Sequence, residues 1–210
     1  MQTTENQKES FCGSVKKILL GLKLGHLWES EAIGDLKAWK SFLSSAIRRK
    51  DTESWLKKVQ EKSKLRLFRR LNSDMRRADF IEWHLPASHR VQYARLRSGT
   101  HQLRFETGRW VDEREDERLC NVCVTGKVES EEHFLLDCYV YRQLRESMFA
   151  KILDQTGYDL LLMKDDKNWL MEVFLGHGLT KKDVREKIGK AVAAFIAVAM
   201  QIRKQNLSQA

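Results

Sequence analysis

Apolar positions recur along this chain at helical rather than strand spacing. Leu36, Trp39, Leu43, Ala46 and Ile47 share one face of a helix predicted over 36–50, with Asp35 placed to cap it. Upstream, VKKILLGLKL at 15–24 reads as a short helix interrupted at Gly21 and stopped at Gly25, with a frayed terminus over 1–11 and a connector over 26–34. Asp51, Thr52 and Glu53 open a further helical segment in which Trp55, Leu56 and Val59 turn inward. The run 65–77 continues it, with Leu65, Phe68 and Leu71 as the inward stripe. Residues 78–85 stay apolar around Trp83 until Pro86 ends them, because a residue before proline is pushed out of the helical region. Ser88 is placed to cap a helix that Gly99 breaks. The clearest amphipathic pattern lies at 139–153, where Tyr141, Leu144, Met148, Phe149, Ile152 and Leu153 fall together. A shorter helix follows at 168–175 with Trp169, Val173 and Phe174. Thr180 then caps a last helix reaching about Gln205, with Asp183 as a capping-box partner.

Composition agrees with helices. One proline and 11 glycines in 210 residues punctuate few turns, and a hydrophobic share of 42% is enough for a packed core. The fold expected is mainly α. The longest apolar run, 191–200, is ten residues, about half of what a membrane span needs, so it reads as a buried helix. The opening MQTTENQKES lacks the basic and apolar regions of a signal peptide. An intracellular protein, nuclear, cytoplasmic or both, with no membrane partner, is expected.

The chemistry concentrates in 19 residues, CNVCVTGKVESEEHFLLDC at 120–138. Cys120 and Cys123 stand two residues apart, His133 follows after nine more, and Cys138 after four more. A Cys-x2-Cys turn presents two thiolates to one ion, and a His-x4-Cys pair one helical turn apart supplies two more ligands. The spacing predicts a Zn2+ site held by Cys120, Cys123, His133 and Cys138. Four protein ligands fill the tetrahedron, so the ion is expected to be structural, with Phe134 and Leu135 forming a small core beneath it. Cys12 stands alone far upstream.

Charge divides the chain. Residues 47–110 carry 17 Lys or Arg against 7 Asp or Glu, whereas 111–138 carry 3 against 9, so the basic block and the knuckle are different surfaces. The string Lys62, Lys64, Arg66, Arg69, Arg70, Arg76 and Arg77, extended by Arg95, Arg97, Arg104 and Arg109, has the footprint of nucleic-acid backbone binding. Phe68, Trp83, Tyr93, Phe105 and Trp110 interleave with it, as core or as platforms for unpaired bases. The knuckle's own carboxylates, among them Asp112, Glu113, Glu115, Asp116, Glu117, Glu129, Glu131, Glu132 and Asp137, repel phosphates. They form either a solvated face or a surface that docks on the chain's own basic block or on a partner protein.

The run LRSGTHQLRFETGRWVDEREDERLCNVCVTGKVESEEHFLLDCYVYRQLR at 96–145 resembles the C-terminal zinc-binding region of reverse transcriptases from non-LTR (LINE-type) retrotransposons. The matching parts are His101 and Leu103, the segment from Glu106 to Arg109, Glu117 to Cys123, Glu129 to Phe134, and Cys138. VKKILLGLKLGHLWES and IGDLKAW resemble the segment between polymerase and knuckle. The polymerase of that family holds two Mg2+ on paired aspartates in a Tyr/Phe-x-Asp-Asp turn. Here the only adjacent pair, Asp165 and Asp166, follows Met163 and Lys164 and reads as a solvated loop. The resemblance therefore implies a non-catalytic zinc module that grips template RNA or target DNA. The parts expected are a terminus at 1–11, a basic helical region at 12–110, a knuckle at 111–138 inserted between basic helices and a C-terminal helical part, and helices at 139–210 packing on the knuckle. The other reading is a protein-interaction module that meets its partner at the acidic knuckle.

Overall fold

In the computed structural model, which describes residues 11–29, 35–72, 75–176, 178–179 and 181–209, the chain is mainly α-helical. The α-helices are α1 (Phe11–Gly21), α2 (His26–Glu29), α3 (Leu36–Gln60), α4 (Arg66–Leu71), α5 (Ala87–Ser98), α6 (Arg104–Thr107), α7 (Arg142–Thr156), α8 (Lys167–Leu175) and α9 (Lys182–Gln209). Extended pairing among the described residues is confined to one antiparallel bridge, Leu119 with Val128. No helix of these residues is long and apolar enough to cross a membrane. The chain forms two compact units that divide between Lys58 and Val59.

In the first unit, Leu19, Leu22, Leu24 and Ala46 make a small core, with Val15, Leu27, Trp39 and Leu43 packed against it. Asp35 caps α3 as its sequence predicts, its carboxylate accepting from the backbone N–H groups of Lys37 and Ala38. Two expectations are corrected here. α1 ends at Gly21, short of the stop expected at Gly25, in a Schellman turn in which Leu24 N donates to Leu19 O at 2.8 Å and Lys23 N to Leu20 O at 3.0 Å. Lys23 takes the left-handed position at φ 61° that glycine usually fills. The expected break at 51–53 is also absent, because α3 is continuous across it. The Thr52 hydroxyl bonds back to Arg48 O at 2.8 Å and leaves the helix intact. Leu36 and Ile47 lie on the exposed side of that helix, and only Ala46 of the predicted face is fully buried.

The second unit is organised around α9. Val184, Ile188, Ala191, Val192, Phe195, Ile196 and Ala199 recur every three or four residues and are all buried. The apolar run 191–200 is thus the middle of a core helix. Helices α5, α7 and α8 pack against it. Gly189 allows the closest approach, since a Cβ there would overlap the Trp83 ring. The start of α5 differs from expectation: Pro86 stands at the cap position and Ser88 lies inside the first turn. Its end matches, with Gly99 left-handed at φ 64°. The basic run 65–77 is helical only through Leu71, and Leu67, not on the predicted stripe, is buried. In α7, Met148, Phe149 and Ile152 are buried but Leu153 faces out. Asp166 of the adjacent aspartates caps α8, accepting from Trp169 N at 2.9 Å. Thr180, the expected cap of α9, lies outside the described residues.

Candidate metal centre

The segment leading to the first two cysteines is a narrow two-stranded turn. Cys120 N donates to Lys127 O and Glu129 N to Arg118 O, and Gly126 supplies the left-handed residue that closes it. The other two donors come from a π-turn at His133–Asp137. In an α-helix, five residues overshoot one turn by about 140° and would point His133 and Cys138 apart. The π-turn reduces that overshoot, with Cys138 N donating to His133 O at 2.7 Å. The expected single α-helical turn is therefore replaced by a wider one.

These elements bring the sulfur atoms of Cys120, Cys123 and Cys138 and a ring nitrogen of His133 within 4.8 Å of one another, all four residues buried. A tetrahedral ion with bonds of about 2.3 Å to sulfur sets its donors about 3.8 Å apart, so the cluster fits one to within an ångström. Nε2 of His133 faces the thiols, 3.3 Å from Cys123 Sγ, while Nδ1 is buried with no hydrogen-bond partner among the described residues. All three thiols are free rather than bridged. A hydrogen bond to Cys138, and then burial, push the Cys120 thiol up to about 12, and the same bond pulls Cys138 down. Burial disfavours charge on His133, but its bonds to Cys120 and Cys123 outweigh that and raise its pKa. The donors share protons that a metal ion would displace.

Around the cluster lies a set of buried charges, of which the sequence reading did not single out Arg118, Arg145 and Arg203. Glu129, with Oε1 3.9 Å from Cys120 Sγ, is held by both Nε and Nη2 of Arg203, at 2.7 and 2.8 Å. The other carboxylate oxygen accepts from Arg104 N at 2.7 Å. Arg145 donates to the carbonyls of Leu135 and Cys138, gripping the π-turn from α7. Burial disfavours both guanidinium charges. At Arg203 the contact with Glu129 more than compensates, whereas at Arg145 burial wins. Glu131 accepts from Arg66 at 2.6 Å and lies 3.3 Å from His101 Nε2, and Arg118 caps the carbonyls of Glu113 and Phe105. A signal for two of these was present. Arg145 and Arg203 sit in register with buried apolar positions of their helices, where a charged side chain needs an internal partner.

Phe134 and Leu135 are buried as expected, though in the unit's main core rather than a small one of their own. Phe134 packs edge-on against Tyr141 and Phe195, with ring centroids 5.2 and 6.0 Å apart. The acidic residues split. Glu129 and Glu131 are buried and matched by arginines, and Glu113 by Arg104, while Asp112, Glu115, Asp116 and Glu117 face solvent.

The predicted phosphate-binding residues divide likewise. Lys62, Lys64, Arg69, Arg70, Arg76, Arg77 and Arg95 are exposed. Arg69 reaches Gln60 O and Arg70 reaches Asn168 Oδ1, neither of which neutralises the charge. Arg77 stands 3.8 Å from Glu82. Arg66 lies over the Phe105 ring and Arg109 binds Glu106 and Ser63. Arg97 corrects the expectation outright: it is 3% exposed, packed against Phe80 and Tyr93 and bonded to Asn72. Of the interleaved aromatics, Trp83 and Tyr93 are core, while Trp110 is 77% exposed.

No family model matches the chain, and neither a curated protein nor a solved structure is found to match it.

Proposed function

We propose that this chain is a zinc-stabilised module that binds nucleic acid, RNA or DNA, and carries no catalytic activity of its own. It resembles the C-terminal tail of a retroelement reverse transcriptase. Three sulfurs and one imidazole suit Zn2+, a borderline-soft ion that accepts tetrahedral geometry at no electronic cost. Four protein ligands leave no position for water or substrate, which supports a structural role.

The observation that carries the nucleic-acid reading is the sorting of charge. The buried carboxylates at the metal centre are matched by Arg66 and Arg203. Lys62, Lys64, Arg69, Arg70 and Arg95 are left facing out with no carboxylate partner among the described residues. Backbone phosphates are the partners such a surface fits.

The test is a salt-titrated binding assay of the purified chain with single-stranded RNA, duplex DNA and a branched substrate. Affinity is expected to fall linearly on logarithmic axes, by about 0.7–0.9 in slope per phosphate neutralised. Replacing Arg69, Arg70, Arg76 and Arg77 with Ala should weaken binding across sequences. Absence of binding at low salt, or binding indifferent to salt, would contradict the reading. The chain should show no extension of a primed template.

A protein-interaction module is the second reading. It is favoured by apolar side chains that stand out beside the acidic segment: Val124 is 93% exposed and Val111 64%. It predicts little nucleic-acid binding at physiological salt.

A further inference from the structure

Helix α5 and the C-terminal half of α9 enclose a groove of about 550 Å3, within the range of ~300–1,000 Å3 typical of ligand sites. Its chemistry differs from that of the surfaces around it. No carboxylate lines it. Residues 83–105, which include α5, and 187–210, which include the C-terminal half of α9, contain no Asp or Glu at all. The two walls therefore meet without a negative charge on either. Arg203 lies at the groove, but its guanidinium is taken by the buried Glu129. Arg95 on one wall and Lys204 on the other are exposed, and their side chains make no hydrogen bond or ion pair among the described residues. Beside Lys204 the α9 wall carries an apolar strip, with Val198 39% and Leu207 37% exposed, and the amides of Gln92 and Gln201 line the same groove.

We propose that this groove seats an unpaired segment of nucleic acid, a single-stranded phosphodiester with at least one base unstacked. This deepens the nucleic-acid-binding reading and rests on it. Two unneutralised cations on opposite walls meet phosphates on either side of a base. The apolar strip takes the face of the base by non-directional burial, a contact that tolerates any sequence. Each amide offers both a donor and an acceptor to a base edge. A duplex buries its base faces in its own stack and has no group for the strip, so single strands are the ligand the groove selects. The groove also shares Arg203 with the metal centre, so the ion that fixes Cys120 and the Glu129 beside it fixes one wall of the groove through that arginine.

The experiment uses the full chain loaded with zinc and three labelled probes: oligouridylate, oligodeoxyuridylate, and a duplex of the same length. Two variants of equal charge change are compared, Arg95→Glu with Lys204→Glu in the groove, and Lys62→Glu with Lys64→Glu outside it. All four side chains are exposed, so metal content and melting temperature should match the parent and serve as the folding control. The groove variant is expected to lose about tenfold or more in single-strand affinity and distinctly less on the duplex, and the matched variant to lose less on single strands. Bromouridine cross-links in the parent should map to 87–102 and 197–208. Preference between the two single strands reports whether the 2′-hydroxyl is read. Equal losses in the two variants, or cross-links confined to 62–77, would overturn the groove while leaving the nucleic-acid reading intact. A parent chain that binds none of the three probes would overturn both.

Discussion

Glu129 joins three partners beside the cluster of three cysteines and a histidine. It is 1% exposed, neutralises Arg203, accepts from the backbone of Arg104 and approaches Cys120. Glu129→Ala should therefore cost about 3–5 kcal/mol, because it strands a buried guanidinium, and urea unfolding would measure it. A loss under about 1 kcal/mol would mean that water reaches the pair. Glycines give a paired comparison. Gly157 has φ 73° with open space around a would-be Cβ, while Gly99 has φ 64° with the Lys64 carbonyl in the way. Gly157→Ala should cost about 1–2 kcal/mol from the dihedral alone, and Gly99→Ala distinctly more, both read from the same unfolding curves. Acid should also act at the residue scale. The metal-free Cys120 thiol is raised to about 12, so below that pH it keeps its proton in the fold, and an incoming ion must expel it. Metal affinity is then expected to rise with pH across the neutral range and to fall in acid, with proton release measurable in weak buffer. Pattern and spacing made the four donors legible, since all lie within 19 residues. They could not separate Arg97, which turns inward, from Arg95, which turns out, because charge density along a sequence carries no direction. The partner of Arg203 lies 74 residues away and was beyond any local signal.

At the scale of elements, the π-turn at His133–Asp137 decides whether the donors converge. Arg145→Ala removes the two hydrogen bonds that hold the carbonyls of Leu135 and Cys138 in that turn. Metal affinity should then fall by about tenfold or more in competition with a chromophoric chelator. An unchanged affinity would show that the grip of Arg145 on the turn is incidental. Helix existence was largely legible, because α7, α8 and α9 bury faces with a clear 3.6-residue period. Boundaries were less so. The polar trio at 51–53 resembles a helix start, but Thr52 satisfies its hydroxyl on the preceding turn and α3 runs on. α1 stops at a left-handed lysine that no residue preference announces.

At the scale of the molecule, the metal centre ties together parts of the second unit that are far apart in sequence: Arg66 through Glu131, Arg104 and Arg203 through Glu129, and α7 through Arg145. The sequence placed the knuckle between the basic helices and the helices at 139–210. In the structure its link to the last of these, the core helix α9, runs through Glu129 and Arg203. Chelation should cost the second unit about 4 kcal/mol where free metal exceeds its dissociation constant a thousandfold. In hydrogen exchange, amides of α5, α7 and α9 should lose protection, while α1 and the first half of α3, which have a core of their own, keep theirs. The central claim is a closed, four-ligand zinc centre, and X-ray absorption at the zinc edge of the purified chain tests it most directly. One equivalent of zinc with three sulfur neighbours at about 2.3 Å and one nitrogen at about 2.0 Å is the predicted result. A shell containing an oxygen in place of one of these, or a chain that folds to the same stability without the metal, would contradict it.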